Sequence, residues 1–192
     1  MPAQMEPWNS LEMAKLVVGV LTPLSVVGLG WYVSRSLKRF ELLQWTNQKL
    51  IEKRLAVYAE VGPIINQLFC FYMWVGRWKE ISPPDVLRLK RELDERMYVY
   101  EHLFDKDVYY AFREFMGTLF DTFQGAGVDA KIKSLVKGPD GDRTNHTTYT
   151  WQTDWESKFA EPSEAASLHE VEVRHAALVS ALSRSFGVRH DS

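Results

Sequence analysis

The chain has 192 residues and a formal net charge of −2, with a quarter of its residues charged and 13% aromatic. That balance excludes a global basic field for nucleic acid, and seven Trp, eight Tyr and ten Phe exclude a disordered polymer. One cysteine, Cys70, rules out an internal disulfide and a cysteine-rich zinc site, and suits a reducing compartment.

Residues 1–10 read as a short tail, with Trp8 placed for an outer membrane interface. The next stretch organises the chain. Leu16 to Val33, LVVGVLTPLSVVGLGWYV, contains no charge and only Thr22 and Ser25 as polar side chains. A helix needs about 20 apolar residues to cross a bilayer core, so 11–33 is expected to span as one transmembrane helix. Trp31 and Tyr32 lie where an aromatic belt forms, and Arg35, Lys38 and Arg39 follow as a membrane-interface cluster for anionic headgroups. Glu6, Glu12 and Lys15 precede the run, so the positive-inside rule puts the N-terminus outside and the C-terminal part in the cytoplasm, at an inner or plasma membrane. A secretory signal would need a basic start and a small-residue cleavage site, and WYVSRSLKR supplies neither. A buried core helix is the competing assignment for such a run.

From Ser34 to Val61 no Gly or Pro interrupts, so the anchor is expected to continue as a helix. Phe40, Leu43, Leu50, Val57 and Val61 recur on one stripe, and Asn47 and Arg54 fall in it at heptad spacing. Polar residues at such a seam set register or oligomer state, which makes Asn47 and Arg54 candidates for self-association; the alternative is that both reach solvent from the stripe's edge. Gly62-Pro63 is expected to kink or break the helix. Phe69 to Val75 is apolar all round and reads as buried on every side.

Ser82-Pro83-Pro84-Asp85 is a helix start, with Val86, Leu89, Leu93, Met97, Tyr100 and Phe104 on the buried face. Asp105 or Asp107 opens the next helix, whose stripe is Val108, Phe112, Phe115, Met116, Leu119 and Phe123, ending at Gly125-Ala126-Gly127. Residues 128–150 are turn-rich and read as a loose exposed loop, after which Trp151 and Trp155 pin a short helix to the core. Pro162 is expected to start the last helix, with Leu168, Val171, His175, Val179, Leu182 and Phe186 facing inward. The fold class is therefore all-α: a transmembrane helix continuing into a cytosolic bundle of four to five helices over 34–192, without strands.

No phosphate loop, dinucleotide fingerprint, zinc-protease, serine-elbow or paired-cysteine motif occurs, so no cofactor or metal is expected. Glu172 and His175 have di-iron spacing, but no second pair accompanies them, and His175 reads as a core-facing histidine with a hydrogen-bond partner. Arg96 to His102 and Arg184 to His190 match the Arg-to-His spacing of HEPN ribonucleases. The polar residue that usually follows the Arg is absent from both, and about 600° of helical rotation puts Arg96 and His102 on different faces.

The stretches YMWVGRWKE, DVLRLKRELD and FREFMGTLFDTFQGAGVDAK resemble a central region of uncharacterised bacterial single-pass membrane proteins, over roughly residues 50–135. The resemblance implies an anchor followed by a cytosolic helical domain and transfers no site. In layout the chain is also similar to the membrane-anchored accessory protein of type VI-B CRISPR systems, which implies a degenerate Arg/His motif and a membrane ring. Together these give a non-enzymatic, membrane-anchored helical interaction or effector module, self-associating as a homo-oligomer on the lipid bilayer, in stress or phage defence. The alternative is a membrane-tethered HEPN-like, metal-independent ribonuclease; a third reading has the loop 128–150 closing over a small ligand.

Overall fold

The computed structural model describes residues 10–139 and 141–188, with side chains from residue 13 onward. The tail 1–9, with Trp8, and His190 lie outside the described residues. The chain is mostly helical, and its contacts divide it into two units, 1–49 and 50–192.

Helix α1 spans Ser10–Met73, 64 residues, and the boundary between the units falls within it. In the first unit its apolar side chains are exposed: Leu24 is 64% exposed and Val27 69%. This helix is long and apolar enough to cross a membrane, and none of its most apolar window is buried against the chain. The two hydroxyls within the run Leu16 to Val33 that belong to Thr and Ser are satisfied within the helix. Thr22 Oγ1 donates to Val18 O and Ser25 Oγ to Leu21 O, each at 2.7 Å. In hydrocarbon an unsatisfied hydroxyl would cost several kcal/mol, on the order of 2–7, so this back-bonding suits a lipid-facing helix.

In the second unit, α1 contributes Val57, Val61, Ile64, Ile65, Leu68, Phe71 and Tyr72 to the core. The expected break at Gly62-Pro63 does not occur: the helix runs through both residues. Pro63 is exposed, while Val61, Ile64 and Ile65 beside it are buried at 0%, 5% and 2% exposure. Packing of the inner face outweighs the hydrogen bond that proline removes from the outer one. A β-carbon at Gly62 would come no closer than 3.4 Å to the Tyr58 ring, an ordinary contact.

Helix α2, Pro83–Val99, starts as its sequence requires, with a capping box between Ser82 and Asp85. It buries Val86, Leu87, Leu89, Leu93 and Met97. Helix α3, Lys106–Leu119, follows N-cap Asp105 and buries Val108, Phe112, Phe115, Met116 and Leu119. It packs along α4, Leu168–Ser185. The start of α4 is Ser167, whose hydroxyl accepts from Glu170 N, whereas Pro162 opens only a single 3-10 turn. Trp155 lies in another 3-10 turn, Thr153–Lys158.

Two short antiparallel pairs interrupt the all-helical expectation. β1, Phe120–Asp121, pairs with β2, Lys131–Ile132, and β3, Lys137–Gly138, pairs with β4, Gly141–Asp142. The first pair ends α3 at Leu119, so Phe123 leaves the stripe and stands 82% exposed. Residues 128–150 are consequently not a loose loop. Ile132 is fully buried and bridges Phe159, Ala160 N donates to Ile132 O at 2.9 Å, and Thr148 N donates to Lys79 O at 3.0 Å. Turn-rich composition hides this because the stitching uses backbone groups, which carry no residue-type signature.

Candidate functional site

Three groups of side chains carry functional potential: a basic cluster and an apolar seam on α1, a tyrosine cleft beside His102, and an arginine enclosed by aromatic rings.

At the end of the apolar run, Trp31 and Tyr32 are 63% and 68% exposed. The Arg35 guanidinium lies over the Trp31 ring at 5.3 Å from its centroid. Trp31, Ser34, Arg35, Lys38, Arg39 and Leu42 border a shallow groove of about 330 Å³. Among the described residues none of these three cations forms an ion pair with a carboxylate. Unpaired cations beside an exposed indole can attract phosphate groups.

The two seam residues have different surroundings. Asn47 is exposed, as are Phe40 at 64% and Leu43 at 72%. Arg54 is engaged within the second unit. Its Nε donates to Leu103 O at 2.5 Å, its Nη1 to Ser185 O at 2.6 Å, and its Nη2 to Asp105 Oδ1 at 3.3 Å. One guanidinium thus ties α1 to the turn before α3 and to the end of α4. Leu103 O and Ser185 O come from distant sequence, so heptad spacing alone could not tell this internal tie from an interchain contact.

Arg96 and His102 do not share a site. Arg96 lies between Glu60 and Glu92, with Nη2 donating to Glu92 Oε1 at 2.8 Å. His102 sits in the turn Glu101–Leu103 and lines a cleft of about 540 Å³ that Arg96 does not border. Arg184 is exposed and donates to Ser180 Oγ at 2.8 Å; its partner position, His190, is outside the described residues. His175 is half-buried, stacked on Phe69 with ring centroids 4.0 Å apart and tilted to Phe115 at 5.9 Å. Burial holds its pKa below the ordinary histidine value.

Arg143, 1% exposed, was hidden in the turn-rich segment. Its guanidinium carbon lies 4.0 Å from the Trp74 ring centroid, 4.2 Å from that of Phe71 and 5.4 Å from that of Trp78. Nη2 donates to Phe71 O at 2.8 Å and Ser134 Oγ at 3.1 Å, and Nε donates to Leu135 O at 3.1 Å. Among the described residues Nη1 is buried without a partner, and no carboxylate forms an ion pair with the group. Desolvation pulls its pKa down to about 10, which still leaves it charged at neutral pH. Trp74, on which it stacks, has a left-handed φ of 58°, a conformation that costs about 1 kcal/mol or more and that the surrounding rings must hold. The ring faces and carbonyl dipoles replace the missing counter-ion. This cluster anchors the segment after β2 to the end of α1.

No protein-family model matches the chain, and no curated protein or solved structure matches it. Among the described residues no group of three or more His, Cys, Asp or Glu could hold a metal ion.

Proposed function

We propose that this protein is a membrane-anchored, non-enzymatic helical module that self-associates through α1. The observation that carries the reading is the exposed stripe of Phe40, Leu43 and Asn47, just after the apolar run. Within the second unit the same heptad phase supplies the buried Val57, Val61 and Ile64. The occupant of the exposed stripe is a second copy of this chain. Two copies anchored in one bilayer share direction and depth, so identical residues meet and the seam matches itself. Asn47 at the seam then sets register and stoichiometry, as a lone polar residue does in a coiled coil.

The apolar part of α1 crosses the bilayer, with the cluster Arg35, Lys38 and Arg39 on the cytoplasmic side. Each of these cations near anionic headgroups contributes about 1 kcal/mol. The second unit stands on the same side, and its work is interaction or effector action at the membrane, in stress or phage defence.

The test is the mass of the detergent-solubilised protein by light scattering, with bound detergent subtracted. A discrete multiple of the 22.3 kDa chain is expected. Leu43→Glu should return a monomer whose far-ultraviolet circular dichroism is unchanged, and Asn47→Leu should change the stoichiometry. A native protein that is monomeric, or variants whose mass does not move, would overturn the seam.

A further inference from the structure

The cleft beside His102 combines several aromatic faces with unpaired cations. At about 540 Å³ it falls in the range of small-molecule sites. Tyr98, Tyr109 and Tyr110 line it, together with Lys106 and Arg113. Tyr109 is fixed from behind: it meets Tyr98 edge-on at 5.9 Å, and both pack against the buried Phe112 at 6.5 Å. Tyr98 and Tyr110 remain 55% and 62% exposed, so their ring faces are open to a partner. Arg113 is exposed and hangs over the Tyr109 ring at 6.0 Å. Among the described residues neither Lys106 nor Arg113 has a carboxylate partner.

Two carboxylates also line the cleft, Glu101 and Asp105. Asp105 is offset by Arg54 at 3.3 Å. That leaves Glu101 against Lys106 and Arg113, a small positive excess. Such a balance suits one phosphate and disfavours a polyphosphate chain, and Glu101 can accept from hydroxyl or amino groups on the same ligand. We propose that this cleft binds a nucleoside monophosphate, with its base on an open tyrosine face, its phosphate on Lys106 and Arg113, and its sugar or amino donors on Glu101. Stacking on tyrosine tolerates any base, so the cleft reads ring and phosphate more strongly than base identity. The assignment does not depend on self-association through α1.

The experiment titrates the full chain in detergent micelles with adenosine 5′-monophosphate, adenosine and inorganic phosphate, by calorimetry. The monophosphate should bind in the sub-millimolar range and more tightly than either part alone. Tyr110→Ala should weaken both the monophosphate and adenosine about tenfold. Arg113→Gln should weaken the monophosphate about tenfold and leave adenosine unchanged. Both positions are exposed, and Lys106→Gln provides an independent second removal of charge. No binding of the monophosphate up to about 10 mM, where only the weakest affinities remain, would overturn the assignment. So would equal losses for monophosphate and adenosine in Arg113→Gln, or monophosphate binding unaffected by all three substitutions.

Discussion

Helix α1 contains two regions built from similar residues with opposite surroundings. Between Met13 and Trp45 its Leu, Val, Phe and Trp side chains are more than half exposed. Between Val57 and Tyr72 the same residue types lie at 5% exposure or less on one face. Composition does not separate the two, because apolar content reports the wish to leave water and says nothing of what replaces it. Periodicity does. The first region is apolar on every side from Leu16 to Val33, which matches an apolar solvent, while the second is apolar on one stripe, which matches a protein core.

The largest effect should therefore separate the two regions. Leu68 is fully buried, and Leu68→Ala removes its side chain from a packed core. A loss of about 2–5 kcal/mol is expected, read as a lowered denaturant midpoint of the second unit. Leu24→Ala, at a position 64% exposed, should leave that midpoint within about 0.5 kcal/mol of the native value. A comparable loss at both positions would mean that the first region is also held by the chain itself.

Arg143 sharpens the same contrast for charge. Arg35, on the first region, keeps its guanidinium at the surface over a single indole, whereas Arg143 is enclosed by three rings. Arg143→Ala leaves Phe71 O, Leu135 O and Ser134 Oγ without their donor. A loss of about 2–4 kcal/mol is expected, with faster proteolysis in residues 133–149. Arg143→Lys should recover less than half of it, because a lysine lacks the planar fork that reaches the Phe71 and Leu135 carbonyls while stacking on Trp74. Full recovery by lysine would show that charge alone, rather than the fork, holds the segment. Arg35→Ala should leave folding stability unchanged.

What was legible in the sequence follows from where the information lies. The helix start at Ser82, the stripes of α2 from Val86 to Met97 and of α3 from Val108 to Leu119, and the apolar run at Leu16 to Val33 are local, and each appears where the residues put it; the ends of the two stripes, at Tyr100 and Phe104 for α2 and at Phe123 for α3, fall outside their helices. The break expected at Pro63 was a local rule overridden by tertiary packing on the opposite face. The stitched segment 128–150 was missed because backbone bonds from Ala160 to Ile132 and from Thr148 to Lys79 leave no trace in residue type. Arg54 was legible as unusual, since an arginine in an apolar stripe needs acceptors. Its acceptors, Leu103 O and Ser185 O, lie far away in sequence. The tyrosine cleft was invisible for a related reason: Tyr98 and Tyr109 come from two helices, and only folding makes their edge contact.

The smallest effect concerns His175, which sits half-buried against Phe69 in the second unit and has no counterpart in the first. Stacked on Phe69 and half-buried, it resists protonation, so its pKa in the fold lies below the 6.5 of the free side chain. The unfolded chain therefore takes up this proton first as pH falls through 6.5. Stability should be constant from this group above that value and should decline with acid until the folded pKa is reached, after which the contribution is flat. His175→Phe keeps the ring stack and removes the titration. It should be as stable as the native chain at pH 7.5 or slightly more so, and it should lose the part of the acid sensitivity that sets in near 6.5. The check is the difference between the denaturant midpoints of the two proteins across that range. A constant difference would mean that His175 titrates in the fold as it does in water, and that the Phe69 stack does not shield it.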